Sequence, residues 1–436
     1  MALTSSQQEA ARKLVDFILE PSSNELILTG PGGAGKSHLI AWFLNEGYGC
    51  YLSECEKRGE EPLYPAPPVV TATTHKAADV LGNSLGRYVG TIHSFLGLKL
   101  KENEDIGEYD LVPTEKSIIK YNQIVFIDEC SMISSLLYNY IQKYLYNCKI
   151  IYVGDKYQLS PPKSGISPVF NGYIPQIELT ENVRLKNHVE LLSLADQLRT
   201  TVKTQVFKPI KEYRGVIEYL DDKSMKEKID SLFLEPNKEN KIVTYTNARS
   251  LMYNEYIKYD LRHFNNMFTK GENYIVNSAV VEEDLVKFST DETITIKEVG
   301  DCLQYVGSGY SINLVRLIAE GFRGEFEILA PLNALELKSA LKIEAKNKNW
   351  KAFFYLKRAI VDLRLADSST VHKAQGSTYK NIFIDLNDLG KCTSYDTASR
   401  LLYVACTRAT DHVYLYGKLP KRLGGGDEDL LLLGSK

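Results

Sequence analysis

The 436-residue sequence has no CxxC pair among its seven cysteines and no Cys/His cluster at zinc-ligand spacing. Cys50, Cys55, Cys130, Cys148, Cys302, Cys392 and Cys406 sit in apolar or mixed stretches and are odd in number. That argues against a disulfide frame or structural metal and for reduced thiols. No run approaches the ~18 apolar residues of a membrane span. The first twenty residues lack a basic leader and a continuous apolar block, so a cytoplasmic protein is expected. Positive charge is not in excess either: 52 Lys+Arg against 55 Asp+Glu leave a net charge of −3. Proteins that bind polyanions often carry a basic surplus. Counterion release depends on the local cations that meet phosphates, so the balance confines any such surface to a narrow track. Internal repeats are absent.

What is present is an ordinary soluble composition, 44% hydrophobic and 25% charged, on a chain long enough for two or more domains of roughly 100–200 residues. Residues 1–20 predict an amphipathic helix capped by Ser5 or Ser6, with Ala10, Ala11, Leu14, Val15 and Ile18 at helical spacing. Leu26–Thr29, Val69–Ala72, Ile124–Ile127 and Ile150–Val153 are short apolar runs that predict buried strands, and Ser37–Leu44 predicts a helix. Strands alternating with helices imply a parallel sheet covered on both faces, with chemistry at the carboxyl ends of its strands. After about residue 185 the pattern restarts, with strands expected at Lys241–Tyr245, Ile382–Asp385 and Val413–Tyr416. Between them Thr293–Lys297, Leu303–Val306, Ile312–Ile318 and Glu325–Ala330 read as short strands and Leu335–Leu363 as a basic helical arm. Residues 96–118 read as a short insert of β-hairpin type. The Gly-rich, acidic end predicts a mobile tail, with docking of a partner through Asp427–Asp429 and Leu430–Leu433 as the alternative.

The most specific signal is Gly30-Pro-Gly-Gly-Ala-Gly35-Lys36-Ser37, a GxxxxGK[ST] pattern between a predicted strand and a predicted helix. Gly32, Gly33 and Gly35 let the backbone wrap phosphates, and the helix N-terminus adds its dipole. Lys36 suits the β/γ-phosphates and Ser37 a Mg²⁺ ion. The run Ile124-Val-Phe-Ile-Asp128-Glu129 ends an apolar strand in two carboxylates, one to hold Mg²⁺ (Asp128) and one to orient or deprotonate water (Glu129). Paired carboxylates there also suit a helix N-cap. In Gly154-Asp-Lys-Tyr-Gln158, Gln158 can read a γ-phosphate, and the segment can equally be an ordinary loop. Arg184 and Arg408 occupy settings where an arginine neutralises charge in phosphoryl transfer, worth ~10³–10⁵ in rate; most arginines, though, are solvated. Three clusters mix hydroxyls, His and Lys suited to a nucleic-acid strand: Thr74, His75 and Lys76; Thr91, His93 and Phe95; Thr370, His372 and Gln375. Singly, such residues are usually structural.

In this order the segments resemble superfamily 1B helicases, most closely the compact bacteriophage Dda type related to RecD, over about Leu3 to Tyr416. Leu3-Thr-Ser-Ser-Gln7 resembles the Q motif, GPGGAGKS, VFIDE and GDKYQL motifs I to III, TATTHKAA and TIHS motifs Ia and Ib. LTENVR carries Arg184, VTYTN resembles the next motif of the second lobe, and STVHKAQGST and YVACTR resemble motifs V and VI. The resemblance implies an α/β fold of two RecA-like P-loop lobes. A β-hairpin is inserted in the first lobe, and a β-barrel with a helical arm in the second. It implies lobe 1A at 1–95 and 119–185, a duplex-splitting pin at 96–118 and lobe 2A at 186–270 and 367–420. It further implies a bracing barrel and arm at 271–366 and a tail at 421–436. ATP and Mg²⁺ would be used, with Gln7 at the adenine. The partners implied are single-stranded and forked duplex DNA, with replication or single-strand-binding proteins beside them. The expected working form is a monomer moving 5′ to 3′ in a cytoplasm, the host's if the protein is from a bacteriophage. The hairpin departs from the pattern: its middle is acidic (Glu102, Glu104, Asp105), and Ile106 and Tyr109 are the only wedge candidates. Tyr157, unusual in motif III, could stack on a base or be buried. The competing classes are a P-loop nucleotide kinase, an ATP-driven translocase that displaces proteins with little unwinding, and an RNA-tracking motor.

Overall fold

Strands flanked by helices on both faces bury both sides and read as continuous apolar runs, and these runs form the centre of the first unit. The computed structural model describes residues 3–103, 108–160, 166–282 and 285–425. The chain divides into two compact units. Unit 1 is Met1–Lys99, Val112–Val206 and Ser399–Thr410; unit 2 is Leu100–Leu111, Phe207–Ala398 and Asp411–Lys436. The lobes expected from the sequence group the chain differently, with 186–206 and 399–410 in the second lobe.

Unit 1 is built on a six-stranded sheet in the order Gln176–Glu178, Glu25–Thr29, Lys149–Gly154, Ile124–Asp128, Val69–Ala72, Gly90–Thr91. Every pair is parallel, so Thr29, Ala72, Thr91, Asp128 and Gly154 all end on one edge. Ile27, Phe126, Ile127, Ile151 and Val153 are fully buried. The N-terminal helix, Ser5–Leu19, is capped by Thr4 rather than Ser5 or Ser6. Thr4 and Gln7 form a reciprocal capping box, which satisfies two orphan N–H groups at once and outcompetes a lone serine.

Unit 2 has a five-stranded sheet in the order Ile217–Leu220, Ala409–Tyr416, Tyr379–Asp385, Asn240–Thr244, Ser368–Thr370. A second, antiparallel sheet runs in the order Gly324–Pro331, Tyr310–Gly321, Thr293–Gly307, Asn273–Val276, Leu363–Leu365. A backbone hydrogen bond of 2.8 Å from Val361 to Leu329 draws its two edges together around a core that includes Tyr274, Ile294, Val315 and Leu317. The two short strands expected within 293–306 are one strand, Thr293–Gly307, whose register shifts twice against its neighbour. The expected continuous arm is two helices, Ala334–Lys346 and Trp350–Ala359, broken where Lys348 adopts φ 54°. Strands Leu98–Asn103 and Glu108–Pro113 form the expected hairpin. Glu104, Asp105 and Ile106, and the tail from Asp427 to Leu433, lie outside the described residues. Among the described residues no helix is long and apolar enough to cross a membrane.

Candidate functional site

The edge where the parallel strands end gathers most of the chemistry expected in unit 1. After Thr29 the glycine-rich loop leads into helix Lys36–Trp42. Gly33 and Gly35 have φ of +88° and +85°, the left-handed region where a side chain is strained. Contact also excludes side chains. A Cβ on Gly33 would lie 2.6 Å from Arg184 Cβ, and one on Gly35 would lie 2.1 Å from Gln7 Nε2. The loop is sewn to its surroundings by residues far away in sequence. Asn182 Nδ2 donates to Gly32 O at 3.0 Å. The N–H groups of Val183 and Arg184 donate to Gly33 O at 2.9 and 3.1 Å. Gln7 Nε2 donates to Ala34 O at 3.3 Å, while its Oε1 accepts from Thr4 N at 3.1 Å. Both ends of the Gln7 amide therefore support the loop and the helix start. Lys36 Nζ rests on the carbonyls of Gly30 and Pro31 at 2.7 and 3.1 Å, placing its charge inside the cradle. Ser37 follows it, half-buried, on the first turn of the helix.

At the end of the third parallel run, burial and the Glu129 carboxylate push Asp128 up to about 7, against the Glu129 N–H and the Lys36 ammonium. Two adjacent carboxylates in a desolvated place repel each other, and a divalent cation would relieve that repulsion, so the chemistry of Asp128 suits Mg²⁺. Glu129 has φ +54° although it is not a glycine. Such a conformation costs of order 1–3 kcal/mol; Thr73 holds it, its Oγ1 donating to Glu129 O at 3.2 Å and its N–H to Asp128 O at 3.2 Å.

Two guanidinium groups converge on the same loop. Arg408 Nη2 lies 3.4 Å from the position of a Cβ on Gly32. Burial first, and the charge of Arg408 second, hold the Arg184 guanidinium below its usual range. Residues 399–410 reach the loop because their helix is clamped to the Gly154–Gln158 turn. Arg400 Nη1 donates to the carbonyls of Lys156 and Gln158 at 2.6 and 2.8 Å. Tyr403 Oη donates to Asp155 Oδ2 at 2.7 Å, with both residues buried. The sequence reading did not single out Asn182, Asp155, Arg400 or Tyr403. Their signal was faint: Asn182 lies two residues before Arg184, and Arg400, Tyr403 and Arg408 share one helix and its exit. Gln158 is buried in this turn. Tyr157 is half-buried, with the Arg199 guanidinium 4.9 Å from its ring centroid.

The strand-binding candidates fall into two groups. In unit 1, Thr74 and Thr91 cap helices His75–Leu85 and Ile92–Phe95, accepting from Ala77 N at 3.1 Å and Ser94 N at 3.2 Å. Lys76 is half-buried on the first of these helices. Burial, then the nearby His75, lower His93 to about 4. The Phe95 ring carries Lys120 Nζ at 4.8 Å. In unit 2, buried Thr370 ends the strand Ser368–Thr370, His372 lies in the following turn of helix, and Gln375 caps its end. Burial holds His372 below its usual range.

A parallel sheet whose first strand feeds a glycine-rich loop, with the acidic pair at the end of the next strand but one, defines a P-loop nucleotide-binding protein. Residues 2–221 match the AAA domain family, and the chain belongs to that family. Residues 365–416 match the UvrD-like helicase C-terminal domain. Uncharacterized protein R530 of Acanthamoeba polyphaga mimivirus is 23% identical over 500 residues, covering 93% of this chain and 98% of that protein. The fold is similar to that of the Pif1 helicase from Candida albicans, with TM-score 0.50 and 15% identity over 99% of this chain and 98% of that one. A Pif1 structure addressing DNA unwinding at forked double-stranded DNA gives TM-score 0.51 and 17% identity over 99% and 96%.

Proposed function

We propose that this chain is an ATP-dependent DNA helicase of superfamily 1B that moves 5′ to 3′ along single-stranded DNA as a monomer and opens forked duplexes, with the Dda type as its nearest kin. The observation that carries the reading is the convergence of Lys36, Arg184 and Arg408 on one glycine-rich loop beside Asp128 and Glu129. Lys36, Arg184 and Arg408 neutralise the phosphates, Ser37 and Asp128 hold Mg²⁺, Glu129 orients the attacking water and Gln158 senses the γ-phosphate. Gly32, Gly33 and Gly35 wrap the nucleotide, and Gln7 braces that wrap at the adenine end. Mg²⁺, when bound, supplies charge neutralisation on the transferring group. Thr74, His75, Lys76, Thr91, His93 and Phe95 grip the strand from one lobe, and Thr370, His372 and Gln375 from the other. Work in replication or repair, in a cytoplasm and with single-strand-binding proteins, follows from that activity. Lys36→Ala should abolish DNA-stimulated ATP hydrolysis while single-strand binding survives; retained hydrolysis would overturn the assignment.

A second reading, a translocase that displaces proteins with little unwinding, is favoured by the setting of Tyr109. Its ring packs edge-on against Phe354 of the arm, centroids 5.0 Å apart, with Lys357 Nζ 5.4 Å away. Glu102 pairs with Arg358 at 2.8 Å. These contacts support the arm as the brace of the hairpin, but they engage its one described wedge candidate. A forked-duplex assay beside a protein-displacement assay separates the two.

A further inference from the structure

Unit 2 contains a cleft of about 980 Å³ that the strand-binding motifs account for on one side only. One wall is the segment Ser368–Thr370 with Lys373; the facing wall comes from the two arm helices, which no motif covers. The helix Ala334–Lys346 contributes Lys338 and Lys342, one turn apart and both exposed. Residues at this spacing share a helix face. Among the described residues neither makes an ion pair within 4.0 Å, whereas Lys373 on the other wall pairs with Asp291 at 3.4 Å. From the second arm helix comes Phe353, half-buried, with Lys357 Nζ 4.8 Å over its ring. The acids of the cleft are Glu255 and Asp362, and Asp362 is already engaged by Asn277 and Arg364. The opposite wall offers a buried hydroxyl: Ser368 Oγ has no hydrogen-bond partner among the described residues. Its backbone is fixed by Asn254, which accepts from Ser368 N at 2.7 Å and donates to Ser368 O at 3.0 Å.

A cationic rim over an apolar interior lined by Tyr259, Tyr274 and Phe353 suits an unpaired nucleic-acid strand, whose phosphates meet lysines while its bases stack. We propose that the arm helices form the second wall of the single-strand site in unit 2, with Lys338 and Lys342 on the phosphates and Phe353 under a base, across from Thr370. The proposal rests on the reading of the chain as a single-strand motor and adds the arm to its binding surface. An acidic peptide is the competing occupant, disfavoured because a polyacidic chain brings no planar group to stack on the Phe353 ring, which already meets Trp350 and Phe354 edge to face.

The test uses the full chain and a fluorescently labelled oligo-dT, with anisotropy measured across a salt series. Lys338→Ala/Lys342→Ala should weaken binding about tenfold and flatten the log–log salt slope by about 1.4, the loss of two single-strand phosphate contacts. Phe353→Leu should weaken binding with the slope kept. A control pair on unit 1, Lys13→Ala/Lys57→Ala, should change neither. Wild-type affinity and slope in the arm double variant would overturn the proposal, as would loss of binding to a poly-glutamate peptide with oligo-dT binding intact. Failure of the wild-type chain to bind oligo-dT would instead overturn the motor reading on which it rests.

Discussion

Arg408 Nη2 approaches within 3.4 Å of where a Cβ on Gly32 would stand, although the two residues are hundreds of positions apart in the chain. Arg408 is buried, and its Nε and Nη2 bond to Val404 O and Thr407 Oγ1 at 3.1 and 3.2 Å, at the end of its own helix. The guanidinium is thus held at the phosphate loop before any phosphate arrives, and Arg184 is held close by. Two cations kept together in a desolvated place gain most when an anion enters between them. Arg408→Ala should lower kcat for ATP hydrolysis by about 10³-fold or more, the range an arginine finger supplies. ADP affinity should fall far less, because that loss belongs to the transition state. Steady-state kinetics beside ADP titration checks this, and a kcat within a factor of ten of wild type would remove Arg408 from the reaction.

Gly35 and Gln7 are also bound to each other's fate. Gly35→Ala meets two penalties, a left-handed φ and a Cβ within 2.1 Å of the Gln7 amide. The first costs about 1–2 kcal/mol; the second displaces an amide that caps the N-terminal helix, worth about 1 kcal/mol. Gly35→Ala should therefore destabilise unit 1 by about 2–3 kcal/mol, and combining it with Gln7→Ala should cost less than the sum of the two single changes. Thermal unfolding of the four proteins in a double-mutant cycle measures it. Strict additivity would mean that the two side chains do not compete.

The parallel sheet was legible because strands buried on both faces leave unbroken apolar runs, and the strands they form end together on the edge that carries the loop, at Thr29, Ala72, Asp128 and Gly154. The glycine loop and the acidic pair were legible from spacing alone. The positive φ of Glu129 was not, since nothing in Ile-Asp-Glu-Cys asks for it; it is imposed by Thr73, on another strand-end. Thr4 as the helix cap is encoded in its three-residue spacing to Gln7, the pattern of a capping box, while the neighbouring serines mask it. The clamp of Arg400 and Tyr403 on residues 155–158 was beyond reach, because it joins segments more than 240 residues apart and no local pattern encodes such a contact.

That clamp makes its own prediction. Tyr403→Phe removes the hydroxyl that donates to the buried Asp155 carboxylate and leaves the Tyr157 N–H at 3.1 Å as its short-range donor. A lost hydrogen bond to a buried charge costs about 1.5–3 kcal/mol. The turn that it steadies carries Gln158, so kcat should fall while KM for ATP moves little. Denaturant unfolding with ATPase kinetics reads both quantities; a silent Tyr403→Phe would mean that Arg400 alone holds the turn.

The acid sensitivity of unit 1 should have a single-residue component at His93. Burial first and His75 second lower it to about 4 in the fold, against about 6.5 in an unfolded chain. Between these values the unfolded chain binds a proton that the folded chain refuses, so acidification favours unfolding. The contribution is complete above pH 6.5 and is lost as the pH falls toward 4, by on the order of 3 kcal/mol at about 1.4 kcal/mol per unit. His93→Asn should flatten the dependence of the melting temperature on pH across that window. At neutral pH the imidazole is uncharged, so in the proposed strand contact it would act as a ring and hydrogen-bonding group rather than as a cation. The same variant should then weaken single-strand binding without changing its salt slope. An equal acid sensitivity in His93→Asn, or a salt slope reduced by a full phosphate contact, would show that His93 carries a charge the fold is expected to deny it.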